Sequence, residues 1–172
     1  MVHFYIGDGK GKTTASLGLA IRAHGCGKRV YVAQFLKDSS FVCGEANALK
    51  SLGVKIDRFD GQKHPMFSKN IKEDHEKTER SIDESLDKID KIIAGGDFDL
   101  IILDEILNAL AVGFISVKRL GSFIDNSNGI ELIFTGCDAP AELIKKADYV
   151  SFVTKIKHPF DLNVAARKGV EF

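Results

Sequence analysis

A short glycine-rich segment near the start of the chain constrains its fold more than any other feature. The apolar residues Val2–Ile6 precede it and are typical of a short buried strand, and an apolar helical pattern follows it. Between them the chain reads Gly7, Asp8, Gly9, Lys10, Gly11, Lys12, Thr13 and Thr14. A strand, a turn ending in Gly-Lys-Thr and a helix form the arrangement in which backbone N–H groups surround a polyphosphate. The sequence therefore predicts a nucleotide phosphate site in an α/β protein.

This segment is a variant of the usual phosphate-binding pattern. The first glycine of that pattern would fall at Ile6, and the glycines stand at alternate positions instead. Glycine adopts positive φ angles readily and lets a backbone come close to phosphate, so the variant retains the required freedom. Lys12 would then reach the β- and γ-phosphates, and the Thr13 hydroxyl would bind Mg²⁺. The alternative is a glycine-rich turn that binds no ligand.

A pair of carboxylates after a strongly apolar run is the second chemical signal. The run covers residues 98–103, and Asp104 and Glu105 follow it directly. In proteins with a phosphate loop, a carboxylate at this place binds Mg²⁺ directly or through water, and a following Glu can take the metal or orient an attacking water. Aspartate also favours helix N-caps, so the pair alone is a weak signal. Together with the glycine-rich segment it predicts a site for a magnesium nucleotide.

Strands and helices are predicted to alternate along the chain. Strands are expected over residues 2–6, 30–36, 54–59, 98–103, 130–134 and 149–156. The first helix would place Leu17, Ala20, Ile21 and His24 on one face. A longer helix over residues 71–93 would bury Ile82, Leu86, Ile89 and Ile93. These patterns predict an α/β fold of the P-loop NTPase-like (RecA-like) type, with a mostly parallel sheet flanked by helices, in a single domain over residues 1–172.

The charge balance and the cysteines narrow the choice of partners and compartment. Lys plus Arg and Asp plus Glu both number 24, so no net field attracts the chain to nucleic acid or to an anionic membrane. The cysteines, Cys26, Cys43 and Cys137, are odd in number and form no C-x-x-C pair, which disfavours a disulfide framework or a zinc site. The sequence has no basic-then-apolar leader and no apolar run as long as a membrane span. We therefore expect a cytoplasmic protein that does not enter membranes.

An ordered series of short motifs resembles the P-loop type of ATP:corrinoid adenosyltransferase. The series covers nearly the whole chain. After the glycine-rich segment come Gln34-Phe35-Leu36-Lys37, Gly44-Glu45, Leu103-Asp104-Glu105, Thr135-Gly136, Ala139-Pro140, Ala147-Asp148 and Lys157-His158-Pro159-Phe160. Many NTPases share the glycine-rich segment. Its combination with the Gln-Phe-x-Lys strand and the Lys-His-Pro-Phe tail is a much more specific sign of this family.

The resemblance implies a specific reaction. A cob(I) corrinoid, cob(I)alamin or its precursor cob(I)yrinic acid a,c-diamide, attacks C5′ of ATP, and the whole triphosphate leaves. Such an enzyme needs no base, because positioning, charge stabilisation of the leaving group and protection of cobalt from water suffice. The resemblance also implies MgATP as co-substrate, a flavoprotein as candidate reductant and a homodimer.

The resemblance assigns roles to residues on the ATP side. Residues 7–14 would grip the triphosphate, with Lys12 taking part in catalysis. Thr13 and Glu105 would hold Mg²⁺, Glu105 as a catalytic residue, and Asp104 would support the metal from nearby. Two further residues match positions that line the nucleotide in the family: Lys37 and Glu45.

The chain departs from the family pattern on the corrin side. Many members carry Gly-Phe-Thr-Trp after the third strand, and this chain has no Trp. The equivalent loop contains Gly61, Met66 and Phe67, so Phe67 is the candidate for the aromatic that presses on the corrin and takes part in catalysis. Many members also read Thr-Gly-Arg-Gly-Ala-Pro where this chain has Cys137 and Asp138.

Two other functions remain open from the sequence. The carboxylate pair after the strand also suits an ATP-hydrolysing or kinase-type protein, which would release orthophosphate or transfer phosphate without a corrinoid. The altered corrin-side loops also suit a protein that binds nucleotide or corrinoid without catalysis.

Overall fold

The chain alternates between parallel strands and helices. A computed structural model describes residues 1–37, 43–63 and 71–170. Its strands are β1 Val2–Ile6, β2 Val30–Gln34, β3 Lys55–Arg58, β4 Leu100–Asp104, β5 Glu131–Gly136 and β6 Tyr149–Phe152. Its helices are α1 Lys12–Gly25, α2 Gly44–Ser51, α3 Ile71–Gly95, α4 Ile106–Ala111, α5 Val117–Asp125 and α6 Ala141–Ile144, followed by a 3₁₀ turn at Pro159–Leu162.

The strands form one sheet in the order β3-β2-β4-β5-β1-β6. Every pairing between neighbours is parallel. Ile6 at the end of β1 lies opposite Gly136 of β5 and Phe152 of β6. Gln34 at the end of β2 lies opposite Asp104 at the end of β4. The predicted α/β fold with a mostly parallel sheet is confirmed, and the carboxyl ends of the strands meet along one edge.

Helices cover both faces of this sheet, and a separate apolar core lies on each face. Helices α1 and α2 pack on one face, where Leu17, Ala20 and Leu49 meet residues such as Ile102 of β4. Helices α3 to α6 pack on the other face, against residues such as Phe134. All residues of β2 and β4 are buried, which explains why these strands are almost continuously apolar.

The helix predictions were right for α3 and wrong in part for α1. The four apolar residues predicted on one face of α3, Ile82, Leu86, Ile89 and Ile93, are all buried. In α1, Leu17 and Ala20 are buried, but Ile21 is 49% exposed. The buried residues of α1 are Ser16, Leu17 and Ala20, so the centre of the buried stripe lies between Ser16 and Leu17 around the helix. Ile21 lies beyond Leu17, at the edge of this stripe.

Strands β2 and β6 end earlier than predicted because the chain turns out of the sheet at both places. Leu36 has a positive φ of 54°, and its N–H donates to the buried side-chain oxygen of Gln62 rather than to a strand. After Phe152 the chain runs along the glycine-rich loop, residues 7–11. Val153 bridges the two segments: its N–H donates to Ile6, and its carbonyl accepts from Gly9 at 2.8 Å.

The glycines of the glycine-rich loop therefore serve packing as well as backbone freedom. A Cβ atom on Gly9 would lie 2.8 Å from the backbone of Thr154, and one on Gly7 would collide with the carbonyl of Val153. A Cβ atom on Gly11 would have no described neighbour within 4 Å, but Gly11 has a φ of 120°, which L side chains rarely adopt. The sequence predicted all three glycines for phosphate approach, and the fold itself already requires them.

The sequence predicted neither a membrane span nor a disulfide framework. None of the described helices combines the length and apolar character needed to span a bilayer. Cys26, Cys43 and Cys137 are all free thiols, in agreement with the expected lack of a disulfide framework.

Replacing Gly9 with Ala is expected to lower the free energy of unfolding by about 1–3 kcal/mol, because the added methyl group overlaps the Thr154 backbone. Urea denaturation measures the change. The matched control is Gly18→Ala in α1, where the added Cβ would meet no other described part of the chain within 4 Å and alanine should stabilise the helix by up to about 1 kcal/mol. Equal effects of the two substitutions would show that residues 153–154 do not confine the loop.

Candidate functional site

A cluster of polar side chains lies where the carboxyl ends of β2, β4 and β5 meet the start of α1. Its centre is Asp104, the last residue of β4, which is fully buried. Gln34 and Thr135, which occupy corresponding places on the two neighbouring strands, are also buried. Buried polar groups need partners, so their mutual contacts determine what this edge of the sheet can bind.

The Asp104 carboxylate accepts four hydrogen bonds from the part of the chain that the structure describes. Its Oδ1 accepts from the hydroxyls of Thr13 at 2.8 Å and Thr135 at 2.7 Å. Its Oδ2 accepts from Nζ of Lys37 at 2.8 Å and Nε2 of Gln34 at 3.1 Å. Four donors occupy essentially all the acceptor capacity of a carboxylate. Asp104 is thus suited to hold neighbouring groups in place rather than to bind a ligand directly.

Asp104 and Lys37 keep each other charged. Burial alone would raise the pKa of Asp104, but the charge of Lys37 and the hydrogen bonds from Lys37, Thr135 and Thr13 outweigh it and hold this pKa below the ordinary value. Burial would likewise lower the pKa of Lys37, and the charges of Asp104 and Glu105 raise it instead. The site therefore contains a stable ion pair throughout the neutral range.

Glu105 follows Asp104 in an unusual backbone conformation. Its φ of 61° and ψ of 11° lie in the left-handed region, which costs a residue with a side chain about 1–2 kcal/mol. Its N–H donates to the Thr135 hydroxyl at 2.8 Å, and its carbonyl accepts from Asn108 at the start of α4. Its carboxylate lies 3.3 Å from Nζ of Lys37 and is 26% exposed. Glu105 is therefore the accessible carboxylate of the pair.

The glycine-rich loop brings Lys12 and Thr13 next to this cluster. Lys12 Nζ donates to the Gly9 carbonyl at 2.8 Å, which folds the side chain back over the loop. Thr13 reaches Asp104 from the first turn of α1, whereas Thr14 is exposed. The loop and the carboxylate pair, predicted separately from the sequence, are thus in direct contact.

Asp8 and Lys10 contact the C-terminal part of the chain instead. Asp8 Oδ1 accepts from the N–H of Lys155 at 2.9 Å, and this hydrogen bond lowers the pKa of Asp8. Lys10 Nζ donates to the Val170 carbonyl at 2.8 Å. Both side chains thus connect the glycine-rich loop to the C-terminal part of the chain.

Glu45 joins the cluster only at its margin. It lies in the first turn of α2, and its Oε2 is 3.1 Å from the thiol of Cys43. Burial raises the pKa of that thiol, which keeps it protonated and able to donate. Cys43 Sγ also lies 3.9 Å from Oε1 of Gln34, so a chain of polar contacts connects Glu45 to Asp104.

Of the three residues predicted to lie on the corrin side, the structure describes only Gly61. Gly61 follows β3 with a φ of 80°, and a Cβ atom there would lie 3.0 Å from the Lys77 side chain. Met66 and Phe67 lie outside the described residues, so their placement stays a prediction.

Three residues that organise the cluster have no role among the predictions made from the sequence. Gln34 and Thr135 both hydrogen-bond to Asp104. Asn108 Oδ1 accepts from the N–H of Cys137, whose carbonyl accepts from Gly7. Gln34 and Thr135 follow apolar runs at the ends of β2 and β5, the strands on either side of β4, and this shared position after an apolar run is the signal that would have identified them.

The donor set fits a hard cation that phosphate oxygens also bind. The Thr13 hydroxyl donates its proton to Asp104, so the lone pairs of the Thr13 oxygen can bind a cation. Glu105 provides a carboxylate nearby. Over residues 1–37, 43–63 and 71–170, no three His, Cys, Asp or Glu side chains are grouped to hold a metal by themselves. Mg²⁺ is usually held by one or two protein oxygens, with phosphates and water as its other ligands, so the residues fit this ion.

Replacing Lys37 with Met is expected to lower the free energy of unfolding by about 3 kcal/mol, because it leaves the buried Asp104 charge without its cation while three hydrogen bonds remain. Chemical denaturation at neutral pH measures the loss. The loss should shrink as the pH falls through the pKa of Asp104 in the variant, because without Lys37 the buried carboxylate takes up a proton before that of the wild-type protein, whose pKa is held low.

The matched control for this variant is Lys88→Met. Lys88 pairs with Asp57 at 2.7 Å, but its side chain is 47% exposed, so the substitution should cost at most about 1 kcal/mol. A cost for Lys37→Met no larger than that of the control would contradict the role of Lys37 as the counter-ion of Asp104.

Comparison with known proteins agrees with this arrangement. The family model described as ATP:corrinoid adenosyltransferase BtuR/CobO/CobP matches residues 1–172. The corrinoid adenosyltransferase of Escherichia coli is 29% identical over 175 residues, covering 98% of this chain and 83% of the relative. The corrinoid adenosyltransferase CobA of Salmonella typhimurium is 28% identical with the same coverage. The corrinoid adenosyltransferase of Pseudomonas aeruginosa is 29% identical, covering 96% of this chain and 80% of the relative.

The match extends over the glycine-rich loop, the Asp104 cluster and the C-terminal segment that packs on the loop. The resemblance seen in the sequence motifs is therefore confirmed, and the chain belongs to the ATP:corrinoid adenosyltransferase family.

Proposed function

We propose that this protein transfers the 5′-deoxyadenosyl group of ATP to the cobalt of a reduced corrinoid. The observation that carries the proposal is the contact between the glycine-rich loop and the Asp104 cluster, through Thr13, in a chain that matches this family from end to end. An ATPase or a kinase would share the loop, but the relatives that align with 96–98% of the chain are corrinoid adenosyltransferases.

The reaction needs no proton transfer by the protein. The electron pair of cobalt(I) forms the bond to C5′ of ATP, the C5′–O bond breaks, and its electron pair leaves with the triphosphate. The protein must therefore orient C5′ towards the corrinoid and stabilise the negative charge of the leaving group. The ATP-side residues in the described part of the chain suit the second task.

The triphosphate would lie against residues 7–14, with Lys12 as a positively charged donor to the phosphates. Thr13 and Glu105 would hold Mg²⁺, which neutralises phosphate charge when bound. Asp104 supports this arrangement because it accepts the Thr13 proton and leaves the hydroxyl lone pairs free. Lys37, held between the two carboxylates, and Glu45 would line the nucleotide side.

The corrinoid would lie on the side of the site formed after β3. Gly61, Met66 and Phe67 are our candidates there, with Phe67 as the aromatic against the corrin. We propose cob(I)alamin or a precursor corrinoid as the substrate, with a flavoprotein supplying the electron. The alternatives are ATP hydrolysis or phosphate transfer, and binding without catalysis if the altered loop has lost the corrin step.

We further propose a single-domain cytoplasmic protein that works as a homodimer. The three free thiols suit a reducing compartment. Among the described strands, β6 pairs only with β1, and Tyr149, Val150 and Phe152 on it are 45–66% exposed. An apolar edge of this kind favours association with another chain, which supports a dimer.

The decisive experiment incubates the protein with MgATP and chemically reduced corrinoid under strictly anaerobic conditions. We expect a light-sensitive adenosyl corrinoid and one triphosphate per product. Orthophosphate release without corrinoid would favour the ATPase alternative, and tight corrinoid binding without turnover would favour the binding protein. Absence of the adenosyl product with every corrinoid tried would overturn the proposal.

Lys12→Ala is expected to weaken ATP binding about tenfold or more, because it removes a charge-assisted hydrogen bond to phosphate worth about 1.5–3 kcal/mol. Calorimetric titration with MgATP measures the loss. Lys28→Ala is the matched control, since Lys28 is an exposed lysine just before β2, at the opposite edge of the sheet. Unchanged ATP affinity in Lys12→Ala would remove Lys12 from the site.

Phe67→Ala is expected to leave the KM for ATP near the wild-type value and to lower turnover with the corrinoid, because only the corrin would lose a contact. Steady-state assays with each substrate varied in turn separate the two effects. Leu52→Ala, which removes an apolar side chain that is 49% exposed, is the control for general surface effects. Wild-type turnover in Phe67→Ala would exclude Phe67 as the corrin-side aromatic.

A further inference from the structure

The Thr135 hydroxyl connects the buried and the accessible carboxylate residues of the site. We propose that Thr135 is a positioning residue, which orients Glu105 and Thr13 for the magnesium triphosphate of ATP. The inference rests on the proposed function and adds to it a residue from β5. Thr135 itself is too deeply buried to touch the nucleotide, so it acts through its two partners.

The direction of both hydrogen bonds of Thr135 is determined by their chemistry. Thr135 is 1% exposed, and its hydroxyl carries a single proton. The N–H of Glu105 can only donate, at 2.8 Å, and the ionised Asp104 carboxylate can only accept, at 2.7 Å. The hydroxyl therefore accepts from the backbone of Glu105 and gives its proton to Asp104, with no alternative orientation.

The first of these bonds helps to hold Glu105 in its left-handed conformation. A positive φ at a glutamate is unfavourable and persists only where neighbouring groups stabilise it. This conformation directs the chain from β4 into α4 while the Glu105 carboxylate stays within 3.3 Å of Lys37. Loss of the Thr135 hydroxyl would remove an acceptor from the Glu105 N–H and allow that carboxylate to move.

The second bond affects Thr13. Asp104 Oδ1 accepts from both Thr135 and Thr13, so the Thr135 bond fixes the oxygen to which Thr13 gives its proton. Because that proton is held by Asp104, the lone pairs of the Thr13 hydroxyl stay available for a cation. Thr135 thus acts on both protein oxygens that would hold Mg²⁺.

The position of β5 gives Thr135 a rigid support. β5 lies between β1, which leads into the glycine-rich loop, and β4, which ends in Asp104. Thr135 lies opposite Tyr5 of β1, and a Cβ atom on the next residue, Gly136, would lie 2.5 Å from the Leu107 side chain. Close packing on both sides leaves the hydroxyl little freedom to move away from its partners.

The test measures magnesium-dependent ATP binding by calorimetry, without corrinoid, in Thr135→Val and Thr135→Ser. Valine keeps the shape of threonine without the hydroxyl, and serine keeps the hydroxyl. We expect Thr135→Val to weaken the affinity for Mg²⁺ in the presence of ATP by about 10- to 100-fold, the usual effect of losing a group that orients metal ligands. ATP binding without Mg²⁺ should change little, and Thr135→Ser should retain most of the metal affinity.

The matched control is Thr78→Val. Thr78 is also 1% exposed, and its hydroxyl likewise accepts from one backbone N–H, of Lys63, and donates to one oxygen, of Gly61. Its removal should cost similar stability while leaving Mg²⁺ affinity with ATP unchanged. An equal loss of metal affinity in Thr78→Val and Thr135→Val would attribute the effect to general destabilisation and overturn the inference.

Three further outcomes also test the role of Thr135. If Thr135→Val does not fold, Thr135→Ser is compared with Thr135→Ala, which differ by the hydroxyl alone, and equal metal affinities in these two variants overturn the inference. If the wild-type protein shows no magnesium-dependent ATP binding, the proposed site itself fails. If the wild type binds and its variants match it, only the role of Thr135 is refuted.

Discussion

The buried carboxylate of Asp104 is the interaction on which the rest of this site depends. It accepts hydrogen bonds from Thr13 in α1, Gln34 in β2, Lys37 after β2 and Thr135 in β5. These donors come from separate parts of the chain, and a buried charge is stable only while they surround it. Assembly of the site therefore requires the strand order and the loop position of the folded protein, since a change in either would take donors away from the buried Asp104 charge.

The two adjacent carboxylates have different tasks because the backbone places them in different surroundings. Asp104 ends a strand, faces the interior and has its acceptor capacity filled. Glu105 adopts a left-handed conformation, remains 26% exposed and meets Lys37, which Asp104 also binds. One carboxylate organises its neighbours while the other stays available to a ligand. This division agrees with a reaction in which the protein transfers no proton and mainly holds a highly charged leaving group.

The glycine-rich loop is held from two sides. Thr13 connects its end to Asp104, and residues 153–155 pack on its outer side through Gly9 and Asp8. The loop shape thus depends on contacts between the start of the chain and a segment nearly 150 positions later. Spacing of glycines predicted that this backbone can approach phosphate, but could not reveal that Gly7 and Gly9 also make room for another part of the chain. That requirement arises only when β6 lies next to β1.

The sequence by itself determined the class of fold, the two motifs of the site and the family. Continuous apolar runs, the stripe on α3 and the Gly-Lys-Thr turn are local properties, and each produces its element through burial or backbone freedom alone. Only the tertiary structure decided where β2 and β6 end and that Ile21 lies at the edge of the buried stripe of α1. It also decided that Thr135 hydrogen-bonds to both Asp104 and Glu105. These features depend on which elements pack against each other. That arrangement follows from the packing of the whole chain and cannot be predicted from a local sequence pattern.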